Sequence, residues 1–135
     1  MMQPPLKTYT GIVRHGLANG RKFGYPTANI GDIVPIWSEG NGVFAAYVQA
    51  NGEHNPAMLY AGTRPTLHLT EPTIEIHLLD FHQDLYGQTI SFQIKEKIRE
   101  ERQFTSTEEL IRQLQMDEAK VREILQLTSE RPYSE

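Results

Sequence analysis

Apolar residues follow a period of two along most of this chain and switch to a helical period after about residue 105. Residues 73–81, TIEIHLLDF, put Ile74, Ile76 and Leu78 on one strand face and Glu75, His77 and Leu79 on the other. Residues 89–98, TISFQIKEKI, alternate in the same way after the turn signal Asp84-Leu85-Tyr86-Gly87. A third strand is expected over residues 42–50, GVFAAYVQA, between the turn signals Asn41-Gly42 and Asn51-Gly52. A fourth covers residues 56–63, joined to the third as a hairpin through Asn51-Gly52. A fifth runs over residues 7–15, behind a lead in which Pro4-Pro5 blocks regular structure. Short-spaced strands with no helix between them predict an antiparallel barrel or sandwich. Near the C-terminus, Ser106-x-x-Glu109 is a capping box, and Leu110, Ile111 and Leu114 recur at helical spacing. A second helix start is expected at Asp117, ahead of Val121, Ile124 and Leu125, so two short helices should pack on the outside or end of the strands. Residues 1–135 fit a single domain, with 1–6 and 128–135 expected to be flexible.

Composition narrows the chemistry. Without cysteine there is no disulfide framework, thiolate zinc site or thiol nucleophile, which suits a reducing compartment. The start has no apolar stretch of the signal-peptide kind, and no apolar run has the length of a spanning helix. A cytoplasmic protein with no membrane partner, acting as a monomer, is the expectation. A net charge of −4 argues against a nucleic-acid partner. Yet residues 11–29, GIVRHGLANGRKFGYPTAN, contain no Asp or Glu, and set Arg14, Arg21 and Lys22 among Gly16, Gly20 and Gly24. Glycines let backbone approach a ligand closely, and interleaved cations suit a polyphosphate. Thr27 and Asn29 of Pro26-Thr27-Ala28-Asn29 add neutral oxygens that a hard Mg²⁺ accepts. The run is neither a Walker loop, since Leu17 and Arg21 follow the glycines, nor a Rossmann fingerprint. As a glycine pattern alone it is an ordinary turn; the cations and the adjoining motif shift it toward phosphate binding.

Other residues carry two readings each. Glu75 is either a solvated carboxylate on the outer face of the barrel or a general base that takes a proton from an acceptor hydroxyl. His77 and His82 lie five apart, on opposite faces of a continuous strand, so they make a poor metal pair. His15 adjoins the glycine run, while His54 and His68 are given no role. Gly62-Thr63-Arg64-Pro65-Thr66 holds a cation in a stiff loop. Arg99 and Phe104 offer a guanidinium and a ring to a flat heterocycle, although Phe104 also suits a hydrophobic staple at the helix start.

Taken in order, these segments resemble the riboflavin kinase, or flavokinase, family over about residues 9–125. The series runs Gly11-x-Val13-x-x-Gly16, Gly20-Arg21-x-x-Gly24-x-Pro26-Thr27-Ala28-Asn29, Gly42-Val43-Phe44-Ala45 and Gly62-x-Arg64-Pro65-Thr66. It continues with Thr73-Ile74-Glu75-x-His77, Asp84-Leu85-Tyr86-Gly87, Ile98-Arg99 and Phe104. The resemblance implies a six-stranded antiparallel barrel with C-terminal helices. It implies transfer of the ATP γ-phosphoryl group to the ribityl 5′-hydroxyl of riboflavin, giving FMN and ADP. By position, Gly16, Gly20, Arg21, Lys22, Gly24, Pro26, Thr27 and Asn29 would bind nucleotide, with Thr27 and Asn29 also holding Mg²⁺. Zn²⁺ and Mn²⁺ stay open as the metal. Glu75 would be the catalytic base, and Arg99 to Phe104 the flap over the flavin. Phe23, Tyr25 and Phe44 depart from the commonest pattern, and Ile36-Trp37-Ser38-Glu39 lengthens one connection. No adenylyltransferase segment accompanies the kinase-like one, so no FAD synthesis is expected. The rival from another class is a flavin-binding barrel without catalysis; it needs neither the Pro-Thr-Ala-Asn segment nor Glu75. An oligonucleotide-binding barrel is disfavoured by the acidic balance.

Overall fold

The structure is a computed structural model that describes residues 7–14, 25–62, 73–81 and 83–127. The expected flexible ends, residues 1–6 and 128–135, lie outside the described residues. Six strands form the fold: β1 (Thr8–Arg14), β2 (Ala28–Val34), β3 (Gly42–Ala50), β4 (Glu53–Gly62), β5 (Thr73–Leu78) and β6 (Thr89–Arg99). Every pairing is antiparallel, and the order β1-β2-β5-β4-β3-β6 closes into a barrel. The β3–β4 hairpin runs in continuous register from Gly42↔Ala61 to Ala50↔Glu53. Asn51 and Gly52 turn it at φ 54° and 77°, the paired positive values that a two-residue loop of primed type demands.

The pattern of the chain shows five of these strands and misses β2. In β2 only Ile30 is fully buried, Asp32 takes φ 54°, and the register against β1 shifts between Thr10 and Ile12. A strand so irregular leaves no clean alternation to find.

Closure sends alternate side chains inward. Val13, Ile30, Phe44, Ala46, Val48, Leu59, Ile74, Ile76, Ile90 and Phe92 fill the interior. A second apolar cluster lies outside the wall, where Val43, Ala45, Met58 and Leu79 meet Val121 and Leu125. β3 therefore has both faces covered, which is why GVFAAYVQA is apolar almost throughout.

The outer cover is one helix, α1 (Thr107–Ile124), where two were expected. Its start follows the sequence: Ser106 Oγ accepts the Glu109 N–H at 3.1 Å, and Glu109 reaches back to the Thr105 N–H at 2.9 Å. The second start at Asp117 does not occur. No Gly or Pro interrupts residues 107–124, and the Asp117 carboxylate accepts from Arg99 and Gln113 instead of capping a new helix. No helix among the described residues is long and apolar enough to cross a membrane.

The lengthened β2–β3 connection folds onto the core. Trp37 packs against Tyr9 (4.9 Å between centroids) and edge-on to Phe44 (5.7 Å), and its ring N–H donates to Gly40 O. The buried Tyr9 hydroxyl donates to Glu39 at 2.6 Å. The additional residues thus supply the partners of a buried phenol.

Phe92 is 1% exposed at the centre of the interior. Phe92→Ala is expected to cost about 3–5 kcal/mol in urea denaturation, and a loss below about 1 kcal/mol would contradict a closed, packed interior.

Candidate functional site

Register places the polar residues of the outer wall in one row. Asn29 opposes Glu75 across β2–β5, and Glu75 opposes Tyr60 across β5–β4. Tyr60 opposes Val43, which opposes Arg99 on β6. Directly opposed residues share a face with Cβ atoms about 5 Å apart, so Asn29, Glu75 and Tyr60 are immediate neighbours.

The segment before β2 crosses this face. The Thr27 hydroxyl donates to Glu75 Oε1 at 2.9 Å, and His77 Nδ1–H donates to the Pro26 carbonyl at 2.8 Å. Asn29 Oδ1 is, among the described residues, the one buried side-chain polar atom with no hydrogen-bond partner. Leaving such an atom unpaired costs about 1–3 kcal/mol, which points to a partner supplied by a ligand. The Thr27 hydroxyl gives its proton to Glu75, so its lone pairs stay available. Two neutral oxygens beside a carboxylate fit a hard, oxygen-seeking cation that brings most of its own ligands as water and phosphate. Among the described residues no three His, Asp or Glu side chains gather as a metal site of their own.

Further along the row the Tyr60 hydroxyl donates to Glu101 Oε2 at 2.7 Å, and Asn41 donates to Glu101 Oε1 at 3.3 Å. At Gly62 an added Cβ would lie 2.5 Å from that Glu101 oxygen and 2.7 Å from the Tyr60 hydroxyl, so a side chain there would displace the Tyr60–Glu101 pair. No motif in the sequence singles out Tyr60 or Glu101. Aligning the β4 and β5 alternation would have put Tyr60 beside Glu75; nothing local marks Glu101.

The structure brings Arg99 and Phe104 together and gives both partners within the fold. Arg99 Nε and Nη2 clasp Asp117 at 2.8–3.1 Å, with Asp117 3% exposed. Two guanidinium groups approach the Phe104 ring, Arg99 at 5.8 Å and Arg102 at 5.1 Å. Arg102 in turn pairs with Glu109.

Two residues beyond Glu75 along β5, His77 meets Tyr25 edge-on at 5.1 Å, and the Tyr25 hydroxyl donates to Glu118 at 2.8 Å. Arg122 joins Glu118 (3.0 Å) to Asp80 (3.0 Å). Burial, then the Glu118 bond, pushes the Tyr25 phenol well above its ordinary range. Asp80 and Glu118 hold the Arg122 guanidinium more firmly protonated. Burial lowers the His77 pKa below 6.5, against a smaller opposing pull from the Pro26 carbonyl and the Glu118 and Asp80 charges. Of the other expected site residues, Gly16, Gly20, Arg21, Lys22 and Gly24 lie outside the described residues, as do His15, Arg64, His68 and His82.

The profile of the riboflavin kinase (flavokinase) family matches residues 5–125. The chain is 40% identical over 123 residues to the bifunctional riboflavin kinase/FMN adenylyltransferase of Escherichia coli strain K12, covering 88% of this chain and 38% of that protein. It is 41% identical over 108 residues to the RNA-binding riboflavin kinase RibR of Bacillus subtilis, covering 79% and 46%. The chain thus spans less than half the length of these curated relatives. Among solved structures, riboflavin kinase from Trypanosoma brucei aligns with TM-score 0.60 at 25% identity, covering 88% of this chain and 76% of that one. A structure described as a macrolide-efflux protein from Streptococcus pneumoniae aligns with TM-score 0.79 at 33% identity, covering 87% and 38%.

The lowered His77 pKa has a signed consequence. Below pH 6.5 the unfolded chain takes up a proton that folded His77 resists, so this contribution is fully present above 6.5 and is lost as pH falls toward the folded value. His77→Asn keeps a donor for Pro26 and removes the titration. Urea midpoints from about pH 5 to 8 should fall faster toward acid for the wild type than for His77→Asn; parallel curves would contradict the assignment.

Proposed function

The chain belongs to the riboflavin kinase family, and from that premise we propose that it transfers the γ-phosphoryl group of ATP to the ribityl 5′-hydroxyl of riboflavin, releasing FMN and ADP. The observation that carries the reading is the meeting of Glu75, the Thr27 hydroxyl and the orphaned Asn29 oxygen on one face of the wall. A carboxylate beside two neutral oxygen donors is what an alcohol-to-phosphate transfer asks of a protein; a flavin carrier needs neither.

In this reading Thr27 and Asn29 hold Mg²⁺, which when bound offsets negative charge on the nucleotide phosphates. Their all-oxygen chemistry suits Mg²⁺ or Mn²⁺ better than zinc. Glu75 accepts the proton of the 5′-hydroxyl and aligns that oxygen with the γ-phosphorus. One O–P bond forms, the bond to the β-phosphate oxygen breaks, and the proton resides on Glu75. The glycine run, with Arg21 and Lys22, covers the nucleotide phosphates. Residues 99–104 border the flavin: Phe104 offers its ring, and Arg99 contributes by fixing the segment to α1 through Asp117.

Glu75→Gln preserves an oxygen that accepts from Thr27 but removes the base. It is expected to lower kcat by about 10²-fold or more while MgATP binding, measured by calorimetry, persists. A kcat near wild type would remove Glu75 from this role. Asn29→Ala should raise the Mg²⁺ concentration for half-maximal rate by about tenfold and leave riboflavin KM little changed. Equal losses for both ligands would make the motif structural.

A further inference from the structure

We infer that His77 is a positioning residue for the nucleotide side of the reaction, and that helix α1, through Glu118 and Arg122, holds the segment His77 positions. The inference rests on the phosphoryl-transfer reading above and extends it to residues that touch neither substrate.

Residues 25–27 precede the first rungs of β2, which are Ala28↔Ile76 and Asn29↔Arg14. Among the described residues no sheet ladder fixes them, and each is held by a side-chain bond: Thr27 by Glu75, Pro26 by His77, and Tyr25 by Glu118. The last two bonds belong to a closed circuit. His77 packs against the Tyr25 ring, Tyr25 donates to Glu118, and Glu118 pairs with Arg122. Arg122 pairs with Asp80, and Asp80 follows His77 by three residues along the chain.

The circuit bears on Thr27 in particular. The Pro26 carbonyl belongs to the peptide unit that also carries the Thr27 N–H, so the His77 bond fixes the plane from which the Thr27 side chain projects. Rotation of that plane would carry the Thr27 hydroxyl away from Glu75 and from the oxygen of Asn29. Small misplacements of a binding group are costly for a reaction that depends on alignment. The barrel interior already stabilises the fold without this circuit, whereas burying the Arg122 guanidinium against two half-exposed carboxylates carries a desolvation cost. Such an arrangement serves geometry more than stability. Arg99 and Phe104 lie at the far end of the row, beyond Tyr60 and Val43. Disturbing His77 should therefore separate the two substrates.

The test uses His77→Phe, which keeps a ring against Tyr25 and removes the donor, and His77→Asn, whose amide nitrogen can occupy the place of Nδ1. In steady-state kinetics with each substrate varied in turn, His77→Phe is expected to raise KM for MgATP by about fivefold, the loss of one neutral hydrogen bond. KM for riboflavin should stay within about twofold, and His77→Asn should return MgATP KM toward wild type. Tyr25→Phe, which removes the hydroxyl bonded to Glu118, should act in the same direction and replaces His77→Phe if that variant does not fold. The inference is overturned if both KM values move together, if neither moves, or if the asparagine variant is as impaired as the phenylalanine one. If the wild type makes no FMN, the phosphoryl-transfer reading fails separately, and MgATP calorimetry on the same proteins decides. Weaker binding in His77→Phe restored in His77→Asn supports the inference; equal binding, or none in the wild type, overturns it.

Discussion

The register of β5 between β2 and β4 is the constraint on which the site depends. Barrel closure sends Ile74, Ile76 and Leu78 into the interior. Strand geometry then leaves Glu75 and His77 no choice but the outer face. A slip of one residue would bury both polar groups and expose three aliphatic ones, so the apolar interior fixes the polar site without contributing an atom to it. The same register sets Asn29 and Tyr60 on either side of Glu75. A polar arrangement on the outside of a barrel is thus specified by packing on the inside.

The outer face is not simply solvent-exposed. Helix α1 covers it around Val43, Ala45, Met58 and Leu79, and beside that shelter two arginines, Arg122 buried and Arg99 half-buried, form ion pairs. Arg99 on β6 reaches Asp117 of the helix, and Arg122 of the helix reaches Asp80 beyond β5. Buried ion pairs are weak stabilisers once desolvation is counted, and their geometry is exacting. Here they tie one helix to the end of β6, near Phe104, and to Asp80 beyond β5, where Glu118 also holds Tyr25. In a family whose reaction is alignment and charge compensation, rigidity of the surround is a large part of what a protein can supply.

Much of this was legible in the sequence. The β3–β4 hairpin was readable because Asn-Gly turn chemistry and flanking apolar runs agree, and the facing of Glu75 followed from alternation alone. β2 was not readable, because its extended form is imposed by neighbours and its own alternation is broken at Asp32. The single helix was hidden by Asp117, a residue that resembles a cap until its partner on β6 is seen. Pro26-Thr27-Ala28-Asn29 and Glu75 were each singled out as candidates, but the bond between Thr27 and Glu75 spans 48 residues and exists only in the folded chain. Tyr25, Tyr60, Glu101 and Glu118 were missed for the same reason: a tyrosine or glutamate gains a role from what faces it, and local sequence carries no trace of that. Arg99 is expected at the flavin by its place in the series, and the sequence gives no sign that its guanidinium also engages Asp117.

The central claim is that this outer face carries phosphoryl transfer to riboflavin. Its most direct test is to incubate the purified chain with riboflavin, ATP and Mg²⁺ and to separate flavins and nucleotides by charge. The account predicts FMN and ADP appearing in equal amounts, dependent on the metal. Riboflavin recovered unchanged, with flavin and nucleotide both shown to bind, would contradict it.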